Sequence, residues 1–174
     1  HGIWHHQRDR TEDRQSDIKS PPTVLEDRGL VVFGAWSSKL HALDVEWGRQ
    51  QWELDVGAWI MGSAAYAPER GIIYVGSLSP TAALHAVDAD TGEELWRFEA
   101  GAGILSSPAV DGDESTVVFG SNDGYLYAVD AESGDEIWQH RIGGQVSGSP
   151  ALVGDWIYVT AKYGDLVALR GVEQ

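Results

Sequence analysis

One stretch, Ala86-Val-Asp88-Ala-Asp-Thr91-Gly92-Glu-Glu-Leu-Trp96, indicates how this chain folds, because its pattern recurs along the sequence. Residues 42–52 and 128–138 repeat its Ala, Asp, Gly and Trp at the same spacing. The three tryptophans of the pattern are 44 and 42 residues apart, and a partial fourth copy follows at residues 166–170. The chain is therefore built of tandem units of roughly 40 residues, a period typical of repeat architectures.

Each unit predicts four short β-strands. In the third unit these are residues 104–110, 116–120, 125–130 and 136–142, and Asn122-Asp123-Gly124 supplies a hairpin turn. No segment has a convincing apolar period of 3.6 residues, so we expect little helix. A single four-stranded sheet leaves its faces uncovered, whereas copies stacked around an axis cover one another.

The repeated stretch resembles the tryptophan-docking motif of PQQ-type quinoprotein β-propellers, A-x-D-x-x-T-G-x-x-x-W, over about residues 16–170. Trp47 and Ser133 stand at the Thr position in two copies, and Arg170 replaces the Asp in the last. The resemblance implies an all-β fold, a β-propeller built of four four-stranded antiparallel blades, either complete or half of an eight-bladed ring. We assign residues 1–174 to one domain or propeller segment, with repeats at about 16–57, 58–101, 102–144 and 145–170.

The motif residues have a structural interpretation. A Trp on the outer strand packs between adjacent blades, an Asp at a strand end accepts backbone N–H groups, and a Gly provides the positive φ of the turn. The residues assigned to docking are Trp4, Trp52, Trp96, Trp138, Asp44, Asp88, Asp130, Gly48, Gly92 and Gly134.

The first residues form a separate prediction. Gly2 to His6 resembles a lone outer strand that carries Trp4, and the final unit supplies three strands only. We therefore predict that residues 1–7 complete the last blade, since an unpaired edge strand favours aggregation. The pairing closes either a four-bladed ring within one chain or, as we prefer, an eight-bladed ring in a homodimer.

Charge and composition exclude several classes of function. The net charge is −15, whereas nucleic acids and anionic lipids are bound by basic patches. No run of 18 apolar residues predicts a membrane span. The chain has 12 basic residues, of which three are lysines, so the acidic surface indicates either adaptation to salt or an ordinary soluble surface.

The resemblance favours a non-catalytic scaffold that binds a protein or peptide partner outside the cytoplasm. The first alternative is a fragment of a PQQ-dependent dehydrogenase, in which PQQ and Ca²⁺ occupy the propeller axis. The absence of cysteine, the single asparagine Asn122 and the short loops argue against it. We therefore predict no catalytic residue, no cofactor and no metal site. The second alternative is a carbohydrate- or polymer-binding module.

The candidate binding residues are those that break the repeat. Trp36 stands in a hairpin where the third unit has Asn122, and Trp59 stands where other units have Gly103 and Gln145. The hairpin that contains Leu78 and Pro80 is two residues longer than its equivalents. Exposed aromatic residues on loops are typical of binding surfaces. The alternative is that Trp36 and Trp59 pack on neighbouring loops.

Overall fold

The fold is known from a computed structural model, which describes residues 3–4, 17–164 and 166–170. Within these residues, short antiparallel strands form four sheets, and one turn of 3-10 helix at Glu26–Arg28 accounts for the helix. Each sheet follows the chain in order, as a blade of a propeller does. The predicted all-β propeller of four blades is confirmed.

The strands of blade 1 are β1 (Thr23–Leu25), β2 (Leu30–Gly34), β3 (Lys39–Asp44) and β4 (Gln50–Asp55). Those of blade 2 are β5 (Ala65–Ala67), β6 (Ile72–Gly76), β7 (Ala83–Asp88) and β8 (Glu94–Glu99). Those of blade 3 are β9 (Ala109–Val110), β10 (Thr116–Gly120), β11 (Tyr125–Asp130) and β12 (Glu136–Arg141). Blade 4 has three described strands, β13 (Ala151–Val153), β14 (Trp156–Thr160) and β15 (Leu166–Arg170).

The core lies between the blades. Leu40 and Ala42 on the third strand of blade 1 belong to one apolar cluster with Ile73 and Val75 of blade 2. The same positions of blades 2 and 3 pack on blades 3 and 4, respectively. The alternation of side chains along each strand thus gives every interior blade two apolar faces.

The innermost strands are shorter than the sequence predicts. In blade 3 the strand begins at Ala109 rather than at residue 104. The reason is that Ile104 donates its N–H to Ser77 of blade 2, 3.0 Å away, and crosses between blades. Ser106 then bonds through its hydroxyl to both the carbonyl and the N–H of Gly120, at 2.8 and 2.9 Å, in place of ladder bonds.

The prediction for residues 1–7 lies largely outside the described residues. Of these, Ile3 and Trp4 are described, and neither is in a strand. The division into repeats at residues 16–57, 58–101, 102–144 and 145–170 stays a prediction.

Candidate functional site

The turns between the third and fourth strands hold one blade to the next. Trp52 of blade 1 donates its indole N–H to the carbonyl of Ala89 in blade 2, at 3.0 Å, and its ring covers Gly92. Gly92 has a φ of +75°, and a Cβ built there would lie 2.6 Å from the ring. A residue without a side chain is therefore required both by the turn and by the indole.

The same contact occurs at two other junctions. Trp96 donates to the carbonyl of Ala131, at 3.3 Å, and covers Gly134, whereas Trp4 donates to that of Val45, at 3.0 Å, and covers Gly48. Trp138 is half-buried and packs against the cluster that joins blades 3 and 4. We call each such contact a tryptophan dock.

An aspartate organises each of these turns. The Asp130 carboxylate accepts the N–H groups of Glu132 and Ser133, at 2.9 and 2.8 Å. Asp44 does the same for Trp47 and Arg49, at 2.6 and 2.9 Å. The N–H of Trp47 lowers the pKa of Asp44, and that of Ser133 lowers the pKa of Asp130.

Asp88 occupies the same position in blade 2. Its carboxylate accepts the N–H and the hydroxyl of Thr91, at 2.7 and 2.9 Å, and the N–H of Asp90, at 3.0 Å. Burial raises the pKa of Asp88, but these bonds to the charged form outweigh it and leave the pKa below its ordinary value.

The opposite ends of the blades carry the loops with the candidate binding residues. There, the hairpin between the second and third strands of each blade bonds to the loop that enters its first strand. These bonds run from backbone N–H to backbone carbonyl. The N–H of Trp36 is donated to Asp17, that of Leu78 to Trp59, that of Asn122 to Gly103 and that of Lys162 to Gln145, at 2.9–3.0 Å. The backbone is thus regular at four positions where the side chains all differ.

Two of these side chains contact each other across the first two blades. The rings of Trp36 and Trp59 are stacked, with centroids 4.8 Å apart and planes 7° from parallel. Trp59 is 41% exposed, but Trp36 is half-buried. The interpretation of Trp36 as an exposed aromatic was therefore wrong, because the hairpin of blade 1 lies against the following loop, with Val56 donating to Ser38 at 2.8 Å.

The stack forms one wall of a cleft of about 250 Å³. Its lining residues are Trp36, Ser37, Ser38, Gly57, Ala58, Trp59, Ser79 and Pro80. Leu78 is half-buried beside it, and its N–H is held by the Trp59 carbonyl. The structure thus brings Trp36, Trp59 and Pro80, from two blades, into one cleft.

The charges around the cleft are few. The Asp55 carboxylate accepts the hydroxyl of Ser38 at 2.6 Å and the N–H of Gly57 at 2.9 Å. The Ser38 hydroxyl, followed by the Gly57 N–H, lowers the pKa of Asp55. The ammonium of Lys19 lies 5.3 Å from the centroid of the Trp36 ring, within the range of a cation–π contact.

The indole nitrogen of Trp36 is buried and has no hydrogen-bond partner within the part of the chain that the structure describes. A buried N–H without an acceptor destabilises a fold by roughly 1–3 kcal/mol.

A second polar group was missed by the sequence interpretation. His85 lies between Ser77 and Glu94, with its Nε2 2.9 Å from the Ser77 hydroxyl and its Nδ1 2.6 Å from the Glu94 carboxylate. Burial lowers the pKa of His85. Ser77 and His85 are both fully buried, so a substrate cannot reach them. The recurrence of His41 and His85 in the same pentapeptide was the available signal for a structural role.

Comparison with known proteins identifies the family. The family model described as outer membrane protein assembly factor BamB matches residues 37–172. The chain therefore belongs to this BamB-like family of PQQ-repeat β-propellers, and the resemblance to PQQ-type propellers is confirmed. No curated protein sequence matches the chain.

Solved structures show the same fold. BamB from Moraxella catarrhalis is 22% identical, with a TM-score of 0.76 over 91% of this chain and 48% of its own. The computationally designed Ika4 protein is 20% identical, with a TM-score of 0.77 over 92% of this chain and 95% of its own. The computationally designed Ika8 protein is 20% identical, with a TM-score of 0.76 over 91% of this chain and 47% of its own. The chain thus spans about half the length of the BamB structure and nearly all of Ika4.

No helix in the described ranges is long and apolar enough to span a membrane. The same residues contain no group of three or more histidine or acidic side chains that could hold a metal ion.

Proposed function

We propose that this chain is a non-catalytic scaffold that binds an extended peptide segment of a partner protein in the cleft of Trp36, Trp59 and Pro80. The observation that carries the proposal is the convergence of these residues. Each breaks the repeat, they come from two blades, and the backbone around them is regular.

The chemistry of the cleft favours an extended peptide. The stacked indoles are a rigid apolar platform for a proline or another apolar side chain, as in grooves that bind polyproline II segments. Such a segment has no internal hydrogen bonds, so its carbonyls are free to accept donors at the rim of the cleft. The serines Ser37, Ser38 and Ser79 make the rim of the cleft polar.

The family supports a location outside the cytoplasm. The matching family is that of BamB, an outer membrane protein assembly factor, and the similar structure from Moraxella catarrhalis is itself a BamB. By analogy, the partner of this chain is a protein of the cell envelope.

The test is a selection of peptide ligands followed by titration calorimetry. Peptides selected from a displayed random library should bind the wild type, and Trp59→Ala should weaken them at least about tenfold, as expected of a Trp in a binding hot spot. Trp47→Ala is the matched control, since Trp47 is 63% exposed in a turn at the opposite ends of the blades. Equal binding by wild type and Trp59→Ala would contradict the assignment of the cleft.

A carbohydrate or polymer ligand is the second candidate. It is favoured by the nearly parallel indoles beside three serine hydroxyls, since sugar rings stack on aromatic faces and bond to hydroxyls. A glycan array probed with the wild type and Trp59→Ala distinguishes the two candidates.

A quinone-dependent reaction has little support. The Asp55 carboxylate beside the cleft is already bonded to Ser38 and Gly57, and the described residues that line the cleft include no acidic residue. We predict that a titration with PQQ and Ca²⁺ gives no saturable binding. A stoichiometric endpoint would support the dehydrogenase alternative instead.

A further inference from the structure

The stacked indoles of the cleft are open on one side only. The Trp36 ring lies between two groups of this chain, the ring of Trp59, 4.8 Å away between centroids, and the ammonium of Lys19, 5.3 Å from its centroid. Trp59 is 41% exposed, and among the described residues no ring or cation besides Trp36 contacts its ring. The outer face of Trp59, which is the face turned away from Trp36, is therefore the surface that the stack offers to a ligand.

An indole face attracts cations, because the ring quadrupole is negative above and below the plane. Lys19 already makes such a contact at the Trp36 end of the stack. The pairing recurs in blade 1 and blade 2, where the guanidinium of Arg28 lies 5.3 Å from the centroid of the Tyr66 ring. The outer face of Trp59 thus favours a cationic group over a neutral polar group of the same size.

Asp55 supplies a fixed anion at the rim of the cleft. Its Oδ1 accepts the Ser38 hydroxyl at 2.6 Å and the Gly57 N–H at 2.9 Å, and both donors belong to residues that line the cleft. Its Oδ2 makes no hydrogen bond within the part of the chain that the structure describes, and the side chain is exposed. The Ser38 bond, followed by the Gly57 bond, lowers the pKa of Asp55, so the carboxylate is charged at neutral pH.

The basic residues near Asp55 are already paired with other acids. Lys39 lies opposite Asp55 in the sheet, but its ammonium is bonded to Glu53. The ammonium of Lys19 is 3.5 Å from the carboxylate of Asp17. The net charge of −15 adds a long-range attraction for a cationic ligand.

We propose that the cleft recognises an arginine side chain of its ligand, with the guanidinium on the outer face of Trp59 and bonded to Oδ2 of Asp55. The inference rests on the proposed function and names the peptide residue that the cleft selects. A guanidinium is planar, so it stacks on a ring through its face while the N–H groups at its edge donate to a carboxylate. The apolar stem of the same side chain adds contact within the cleft.

The test uses two small probes that differ in charge, N-acetylarginine methylamide and N-acetylcitrulline methylamide, whose side chain ends in a neutral urea. Each is titrated into the full chain while NMR follows the indole N–H resonance of Trp59, which Trp59→Phe assigns. The arginine probe should bind about tenfold more tightly, the combined effect of an exposed cation–π contact and an exposed ion pair.

Two variants separate the contribution of Asp55 from that of net charge. In Asp55→Asn the preference should fall to about threefold, because the amide oxygen still accepts the bonds from Ser38 and Gly57 but carries no charge. Glu46→Gln is the matched control, since Glu46 is exposed in the same blade but lies in the turn between β3 and β4. It removes the same charge and should leave the tenfold preference unchanged.

Each outcome of the probe titrations decides the proposal. Equal binding of the two probes by the wild type would overturn it, as would binding of neither. A preference that Asp55→Asn retains in full, or that Glu46→Gln lowers equally, would remove Asp55 from the site. Thermal melting verifies that both variants are folded, and the two probes on the wild type decide even if Asp55→Asn is not.

The peptides selected for the proposed function distinguish the two claims. Selected peptides that require Trp59 but contain no arginine, or bind unchanged when citrulline replaces it, would overturn the arginine inference and leave the peptide scaffold standing. If no peptide is selected but the arginine probe still binds at Trp59, the peptide scaffold is contradicted while the assignment of the guanidinium site stands.

Discussion

The two ends of the blades differ in how far the repeat extends to the side chains. At the turn end, Trp4, Trp52 and Trp96 each cover a glycine of the following turn and donate to a nearby carbonyl. At the loop end, the backbone bonds repeat in four blades, but one pair of blades alone carries the Trp36–Trp59 stack. A contact that recurs at successive junctions is structural, whereas a contact made once on a regular backbone is available for binding.

The largest expected effect is the loss of a dock. Trp52→Ala removes a buried indole and its hydrogen bond, so we expect a loss of about 3–5 kcal/mol in the free energy of unfolding. Trp47→Ala, in the same blade but exposed, should change it by less than about 0.5 kcal/mol. Guanidinium denaturation measures both. Similar losses would remove the distinction between a docking and a surface tryptophan.

The glycine that receives the indole gives the next effect. Gly92→Ala strains a positive φ and places a methyl group against Trp52, whereas Gly29→Ala strains a φ of +61° in open space. We expect Gly92→Ala to lose about 1–3 kcal/mol more than Gly29→Ala, the usual cost of overpacking. Denaturation of the two variants measures the difference. Equal losses would mean that the turn geometry, rather than the indole, requires the glycine.

The aspartates of the turn end predict a dependence on pH. The folded-state pKa of Asp88 is lowered, so its charged form stabilises the fold. This contribution to the free energy of unfolding is fully present above the unfolded pKa of about 4 and is lost as pH falls through the folded pKa. We expect the free energy of unfolding to decrease below about pH 4, and less steeply in Asp88→Asn. Denaturation curves at several acidic pH values measure this. An unchanged slope in the variant would exclude Asp88 as a contributor.

The smallest expected effect is that of salt on stability, which does not distinguish the turn end of the blades from the loop end. Salt screens repulsion among the charges that sum to −15, so the melting temperature should rise between dilute buffer and molar KCl, by the equivalent of under about 1 kcal/mol. Scanning calorimetry measures it. A flat response would leave an ordinary acidic surface as the explanation.

The repeat determined much of the fold in advance, because each unit satisfies the same local rules. The bounds of β10 and β11 are those predicted from the turn residues and the apolar pattern. The first strand of blade 3 was predicted too long, since nothing local reveals that Ser106 replaces the ladder bonds with its hydroxyl.

The cleft was less accessible to prediction. Trp36 and Trp59 could be selected because each departs from its repeat, but their stacking depends on how two blades are placed in space. For the same reason the partial burial of Trp36 and the bonds from His85 to Ser77 and Glu94 could not be derived from spacing alone.

The docks also bear on how such a chain grows. The first and second blades each contain both a glycine turn that receives an indole and an indole that the next blade receives. A tandem duplication of one unit therefore copies both a docking tryptophan and a glycine turn that can receive one. The new blade then fits between its neighbours without a compensating substitution. Blade number can then change by copying whole units of the gene, and side chains at the loop end are free to diverge afterwards.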